Sequence, residues 1–338
     1  MPNGDTVLRV RELRTVFRGD RGHVCVLDNV SFDVRRGRIV GLVGESGSGK
    51  SMTALSLMGL TPKPQSHVSA RSIELDGVEL TGLGSDGLRR MRGRDMAMVF
   101  QEPMTSLNPV RKVGDQVGEP LAVHKGLSRR QIRARVLEMF ELVGIPEPKA
   151  RLDAYPHELS GGLRQRAMIA MGLICEPKLL IADEPTTALD VTTQAQILHL
   201  MLDLRDRIGT SIIMITHDLG IIAEMCDEVN VMYAGQIVEQ ANVFELFERP
   251  THPYTRGLLA SVPRATEKRI GRRMPSIPGR VPDLARLPEG CRFNPRCGDV
   301  VPVCRREGPA LAGLGEGHVA RCWVHAPQEA AVRGRDAS

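Results

Sequence analysis

Residues 44–51 read Gly-Glu-Ser-Gly-Ser-Gly-Lys-Ser, the spacing G-x-x-x-x-G-K-S of a phosphate-binding loop. Its chemistry follows from the residue types. Gly44, Gly47 and Gly49 let consecutive backbone N–H groups turn toward one anion, with Glu45, Ser46 and Ser48 between them. Lys50 can reach outer phosphates, and the Ser51 hydroxyl can ligate Mg²⁺. The helix expected from Met52 to Leu60 points its positive end at the same place. A second candidate lies at Asp183-Glu184, where the apolar run Leu179-Leu180-Ile181-Ala182 ends in two carboxylates. At a strand tip beside a phosphate loop, Asp183 can hold Mg²⁺ through water, and Glu184 can orient and deprotonate an attacking water.

These groups need elements to position them. Ile39 to Val43 is a continuous apolar run, as are Leu179 to Ala182 and Ile212 to Ile215, and each predicts a strand buried on both faces. Ile197, Met201, Leu204 and Ile208 mark a helix between the last two, so the order strand–helix–strand predicts a parallel sheet with crossover helices. Ser128 and Gln131 form a capping box ahead of Ile132, Val136, Phe140 and Val143 at helical spacing. The front of the chain reads as short strands at Val7–Val10, Val24–Leu27 and Val30–Phe32.

Leu159-Ser160-Gly161-Gly162-Leu163-Arg164-Gln165 precedes a further helical run. This stretch resembles the LSGGxRQ signature of ATP-binding-cassette (ABC) ATPases, and other motifs then fall into that family's order. Gln101, in Val99-Phe100-Gln101-Glu102-Pro103, matches the Q-loop glutamine; Thr187-Ala188-Leu189-Asp190 matches the D-loop; His217 matches the switch histidine; Phe17 matches the aromatic that stacks on adenine. The resemblance covers residues 5–245. It implies an α/β ABC ATPase fold, with a RecA-like parallel-sheet core, an antiparallel β subdomain and a helical subdomain at about 105–170. ATP is expected on Phe17 and residues 44–52, including Met52, with Mg²⁺ on Ser51, Gln101 and Asp183. Glu184, His217, Lys50 and Gln101 are expected to be catalytic. The resemblance also implies a head-to-tail dimer, in which Ser160, Gly161, Gly162 and Gln165 bind the ATP held by a second ABC ATPase subunit, with Asp190 nearby.

Beyond residue 245 the composition changes, and nine prolines from Pro250 to Pro302 preclude long helices. Thr251-His252-Pro253-Tyr254-Thr255-Arg256, Ile277-Pro278-Gly279 and the run from Leu287 to Cys297 resemble the extension of oligopeptide and dipeptide importer ATPases, as does Glu102 to Pro109. Two domains are therefore expected, 1–245 and 246–338. Cys291, Cys297, Cys304 and Cys322 have the spacing C-x5-C-x6-C-x17-C, without the short knuckle usual for zinc. Four thiolates suit a 4Fe–4S cluster, with zinc as the alternative, and resemblance favours the cluster. A segment so poor in core formers is expected to need such a staple.

Net charge is +5, and residues 264–338 hold the excess, with 14 basic and 8 acidic side chains. Aromatics are only 3% of the chain, too few for a base-stacking surface, so no nucleic-acid partner is expected. The longest apolar run, Ala167 to Cys175, is far short of a membrane span, and the first residues carry no apolar signal region. The expectation is an ATP-hydrolysing importer subunit at the cytoplasmic face of the inner membrane. It would be held there by two transmembrane permease subunits and served by an extracytoplasmic binding protein. Nickel, opines or another small solute are the alternative cargoes, and a soluble ABC ATPase is the alternative class.

Overall fold

Ile39–Val43, Leu179–Asp183 and Ser211–Thr216 are each buried along their whole length in the computed structural model, as strands covered on both faces must be. The structure describes residues 5–19, 22–101, 106–187, 189–261 and 276–326. Residues 102–105, 188, 262–275 and 327–338 lie outside the described residues. In chain order the strands are β1 (Thr6–Gly19), β2 (Gly22–Arg35), β3 (Ile39–Val43), β4 (Ser66–Ser69), β5 (Ser72–Leu75), β6 (Val78–Glu79), β7 (Met96–Val99), β8 (Leu179–Asp183), β9 (Ser211–Thr216), β10 (Glu228–Tyr233), β11 (Gln236–Asn242), β12 (Ala312–Gly315) and β13 (His318–Ala320).

The front of the chain departs from the short strands expected of it. β1 and β2 each run 14 residues, passing through Glu12 and Asn29, both at φ 54°. Such left-handed residues bend a strand without ending it, and the Glu12 N–H is satisfied by the Ser31 hydroxyl at 2.8 Å. The ends expected at Val10 and Leu27 thus lie within continuous strands.

Contacts divide the chain into two units: residues 1–9, 33–39 and 74–215, and residues 10–32, 40–73 and 216–338. In the first, β7 and β9 flank β8 in parallel, with Asp183 opposite Ile215. The helix Val191–Ile208 crosses over between β8 and β9 and buries Ile197, Leu198, Met201 and Leu204, the expected face. The helices Val113–Lys125, Arg129–Leu142 and Gly161–Leu173 pack together around Phe140, Val136 and Met168. Both bonds of the Ser128–Gln131 capping box are present, a device that stabilises a helix start by about 1 kcal/mol.

In the second unit, β3 lies parallel to β10, which pairs antiparallel with β11. The C-terminal extension continues that ladder: β13 pairs with β11, Glu239 opposite Ala320, and β12 pairs with β13. The extension also shares an aromatic core that sequence reading missed. Tyr254 and Phe293 are buried, and ring centroids run 4.6 Å from Tyr233 to Tyr254, 5.2 Å from Tyr233 to Phe293 and 5.5 Å from Tyr254 to Phe293. Two of the chain's three tyrosines are spent here. Buried Glu239 accepts the N–H groups of Thr251 and His252 and bonds His318 at 2.8 Å. Aromatic packing and this carboxylate knot therefore tie down an extension expected to depend on its cysteines.

Candidate nucleotide-binding and catalytic site

The phosphate loop belongs to the second unit. β3 delivers the chain to Gly44, whose φ is 151°; a Cβ there would meet the Met232 carbonyl oxygen at 2.2 Å, so only glycine fits. Gly47 and Gly49 also lie in the left-handed region, at φ 79° and 107°. Gly49 caps the helix Lys50–Leu57 with no side-chain bond. The helix covers most of the stretch expected. Lys50 is buried, and its Nζ donates to the carbonyls of Gly44 at 2.8 Å and Glu45 at 3.1 Å. The Ser48 hydroxyl is buried with no hydrogen-bond partner among the described residues, the kind of orphan that an anion cradle leaves. Ser46, Gly47 and Ser51 are exposed and Met52 is half-buried, so one rim of the loop faces outward.

Phe17 is half-buried on β1, opposite Ser66 of β4, so part of its ring remains open rather than lost in the core. His217 is exposed, one residue past the end of β9 and immediately before Asp218, which caps the helix Leu219–Met225.

Asp183 and Glu184 belong to the first unit. Asp183 ends β8 and is buried. Glu184 follows at φ 47°, a left-handed conformation that costs a non-glycine residue about 1–3 kcal/mol and recurs at functional sites. It is held by its own N–H, which donates to the Ile215 carbonyl at 2.9 Å, and by its carboxylate. One oxygen, Oε2, accepts from Gln101 Nε2 at 3.0 Å and from the Thr187 hydroxyl at 2.9 Å. Gln101 and Glu184, assigned from motifs 83 residues apart, are thus in direct contact.

Ser160 caps the 13-residue helix Gly161–Leu173, its hydroxyl accepting from the Leu163 N–H at 3.4 Å. Ser160 and Gly161 are exposed at that helix's positive end. A Cβ on Gly162 would come within 2.8 Å of Thr193 Cγ2, so glycine there serves packing against the next long helix. Gln165 does not share the exposed face: it is 1% exposed, pointing its role inward. Asp190 caps the helix Val191–Ile208, bonding Thr193 N at 3.0 Å and Thr193 Oγ1 at 2.7 Å; those bonds hold its carboxyl below the usual range.

None of the four C-terminal cysteines is in a disulfide. Cys304 and Cys322 are buried, and Cys291 is pushed up to about 11, chiefly by burial and further by Cys304, Cys297 and Cys322. The expected metal is nonetheless unsupported: among the described residues no group of three or more His, Cys, Asp or Glu side chains is arranged to hold a metal ion. One tetrahedral ion needs all its sulfurs around a single point, so this counts most heavily against zinc.

Sequence reasoning missed two residues that act on the loop itself, Tyr254 and Arg296. The Glu45 N–H donates to the Tyr254 hydroxyl at 2.8 Å, and the Glu45 carboxylate takes both arms of the Arg296 guanidinium, at 2.7 and 3.0 Å. Burial pushes the Tyr254 hydroxyl up, and bonding to Glu45 pushes the Arg296 guanidinium up. No local pattern announces a partner 251 positions away.

Residues 27–187 match the ABC transporter family, and residues 238–304 match the oligopeptide/dipeptide transporter C-terminal region. A probable peptide ABC transporter ATP-binding protein of Sinorhizobium fredii is 52% identical over 95% of this chain and 96% of its own length. The oligopeptide transport ATP-binding protein AppD of Bacillus subtilis is 47% identical over 95% and 97%. Among solved structures, a dimeric ATP-binding cassette in a post-hydrolysis state, bound to ADP and Pi, aligns at 25% identity with TM-score 0.62, covering 70% of this chain and 98% of that one. CbiO1 of Clostridium perfringens, part of the ABC transporter complex cbiONQ, aligns at 31% identity with TM-score 0.61, covering 72% and 92%. The fold and these matches define an ABC-type ATPase of the kind coupled to transport. The chain belongs to the ATP-binding proteins of ABC transporters, in the group that carries the oligopeptide/dipeptide C-terminal region. Among the described residues no helix is long and apolar enough to cross a membrane.

Proposed function

We propose that this chain binds Mg-ATP at residues 44–52 and hydrolyses it to drive import of oligopeptides or dipeptides through separate membrane subunits. The observation that carries the catalytic part is the Gln101–Glu184–Thr187 contact on a strained Glu184 backbone. In this reading the loop N–H groups and Lys50 hold the phosphates, Lys50 exchanging its bonds to Gly44 and Glu45 for phosphate oxygens, while Phe17 stacks on the adenine. Ser51, Asp183 and Gln101, all oxygen donors suited to a hard cation, would hold Mg²⁺, which neutralises phosphate charge. Glu184 takes the proton of the attacking water, Gln101 fixes that carboxylate's orientation, and His217 answers to the outer phosphate.

A second ATPase subunit, a related chain or another copy, completes each site with Ser160, Gly161 and Gly162. The dimeric, nucleotide-bound relative supports that arrangement, as does the open helix N-terminus. The membrane subunits would dock on the helical subdomain, where a groove of about 590 Å³ is lined by Arg111, Gly118, Ile132, Arg133 and Leu152. Peptide cargo rests on the relatives and on the C-terminal family match, and an import role would put the subunit at the inner face of the membrane. The deciding experiment is uptake of a labelled tripeptide by a strain whose own importer ATPase is replaced by this chain. Restored uptake supports the reading; restored nickel uptake without peptide uptake overturns the cargo.

A four-iron cluster on Cys291, Cys297, Cys304 and Cys322 stays part of the proposal on two grounds. Each iron takes one thiolate, so the sulfurs need not crowd a single point. Burial raises the Cys291 and Cys297 thiols, and the N–H groups of Phe293 and Asp299 partly offset it; the His325 N–H bonds the Cys322 sulfur, so three of the sulfurs already have backbone donors of the kind a cluster's thiolates accept. Elemental analysis of anaerobically purified protein decides it: about four irons per chain supports the cluster, and neither iron nor zinc removes it.

A further inference from the structure

Glu45 is the one acidic residue inside the phosphate loop, an odd place for a carboxylate if phosphates are to bind beside it. Its surroundings account for it. Arg296 sits on a single 3₁₀ turn, Asn294–Arg296, with its side chain 4% exposed, and gives a two-pronged bond to the Glu45 carboxylate, which is 31% exposed. The guanidinium is itself fixed from other sides. Its Nε donates to the Pro278 carbonyl at 2.7 Å, and its carbon lies 5.8 Å from the centre of the Tyr233 ring. The Glu45 N–H is spent on the Tyr254 hydroxyl, and its carbonyl accepts from Lys50 Nζ and from the Ser48 N–H at 3.1 Å. Of the groups holding Glu45, Arg296 and Tyr254 come from the C-terminal extension, and the rest come from the loop.

We propose that the C-terminal extension sets the nucleotide affinity of the phosphate loop through Arg296 and Tyr254 acting on Glu45. Arg296 is a positioning residue: it neutralises the Glu45 carboxylate and draws it toward the extension, so that the loop presents N–H groups to the anion rather than a bare negative charge. Tyr254 fixes the Glu45 peptide in the same sense. This inference rests on the reading of residues 44–52 as the ATP site. It makes the extension a working part of that site rather than an appendage.

The test is nucleotide affinity of the purified full chain, by displacement of a fluorescent ATP analogue with Mg-ATP, together with steady-state hydrolysis in the assembled transporter. Arg296→Met should weaken Mg-ATP binding about tenfold, the size of one lost charge-assisted interaction. The KM for ATP should rise in step, while kcat at saturating ATP changes by no more than about threefold, because ground-state and transition-state binding fall together. The double variant Arg296→Met/Glu45→Gln should recover most of the lost affinity, since the uncompensated charge is gone. Loss of affinity that the double variant does not recover would mean disrupted folding rather than charge, and would overturn the proposal. So would a folded Arg296→Met with wild-type affinity. Should Arg296→Met not fold, Arg296→Lys and Tyr254→Phe remove the fork and the hydroxyl separately. Each should weaken binding about threefold, and wild-type affinity in both sinks the idea. A wild-type chain that binds no nucleotide fails at the ATP-site reading itself; one that binds, with variants that do not differ, fails here alone.

Discussion

Glu184 combines a left-handed backbone with a carboxylate held by two side chains, so both its position and its orientation are set before any water arrives. An amide at that position keeps the shape and loses the basicity. Glu184→Gln should therefore retain Mg-ATP binding and lower turnover by about 10²–10⁴-fold, the usual worth of a general base. Single-turnover hydrolysis after rapid mixing checks this, and turnover within a few-fold of wild type would remove Glu184 from that role. At this scale the sequence was highly legible where chemistry demands a fixed spacing. Gly44, Lys50 and Ser51 stand in a loop whose backbone angles only glycine supplies, and Gln101 does meet Glu184. Legibility failed for Gln165, whose motif position says nothing of the helix face it occupies, and for Arg296, whose partner is distant in sequence.

Among the elements, helix ends carry the site. The helix Gly161–Leu173 offers an exposed N-terminus at Ser160 and Gly161, with its other flank packed so closely that Gly162 has no room for a side chain. Ser160→Arg should leave this chain's own nucleotide binding near wild type and block hydrolysis at the site it completes on a second subunit. Its cationic side chain would occupy the place of that subunit's outer phosphate. Equal loss of binding in the isolated chain, followed with a fluorescent nucleotide, would contradict the cross-subunit assignment. The buried strands β3, β8 and β9 and the capped helix Arg129–Leu142 could be read from sequence because apolar runs and a capping box are local signals. β1 and β2 could not, because Glu12 and Asn29 break the alternation without breaking the strand.

For the whole molecule, the extension is the instructive case. Composition pointed to a segment short of core formers, yet Tyr254 and Phe293 are gathered against Tyr233 at the end of β10. Averages over a segment hide such concentration. Phe293→Ala should open a cavity and destabilise this region by about 3–5 kcal/mol, as buried aromatic truncations do. Limited proteolysis should then cut within the extension while the unit containing residues 74–215 resists, and unchanged protection would mean that the aromatic cluster is not what holds it. His252, whose ring burial pushes down to about 3, adds no titrating charge to that core near neutral pH.

The central claim is that ATP hydrolysis at Glu184 powers peptide uptake. It is tested most directly in a strain that lacks its own peptide-importer ATPase and carries the chain, with its cognate membrane subunits and binding protein, in wild-type or Glu184→Gln form. Labelled tripeptide should accumulate with the wild type and stay at background with Glu184→Gln, at equal amounts of protein in the membrane. Accumulation that survives Glu184→Gln, or a wild type that hydrolyses ATP with no peptide entering, would contradict it.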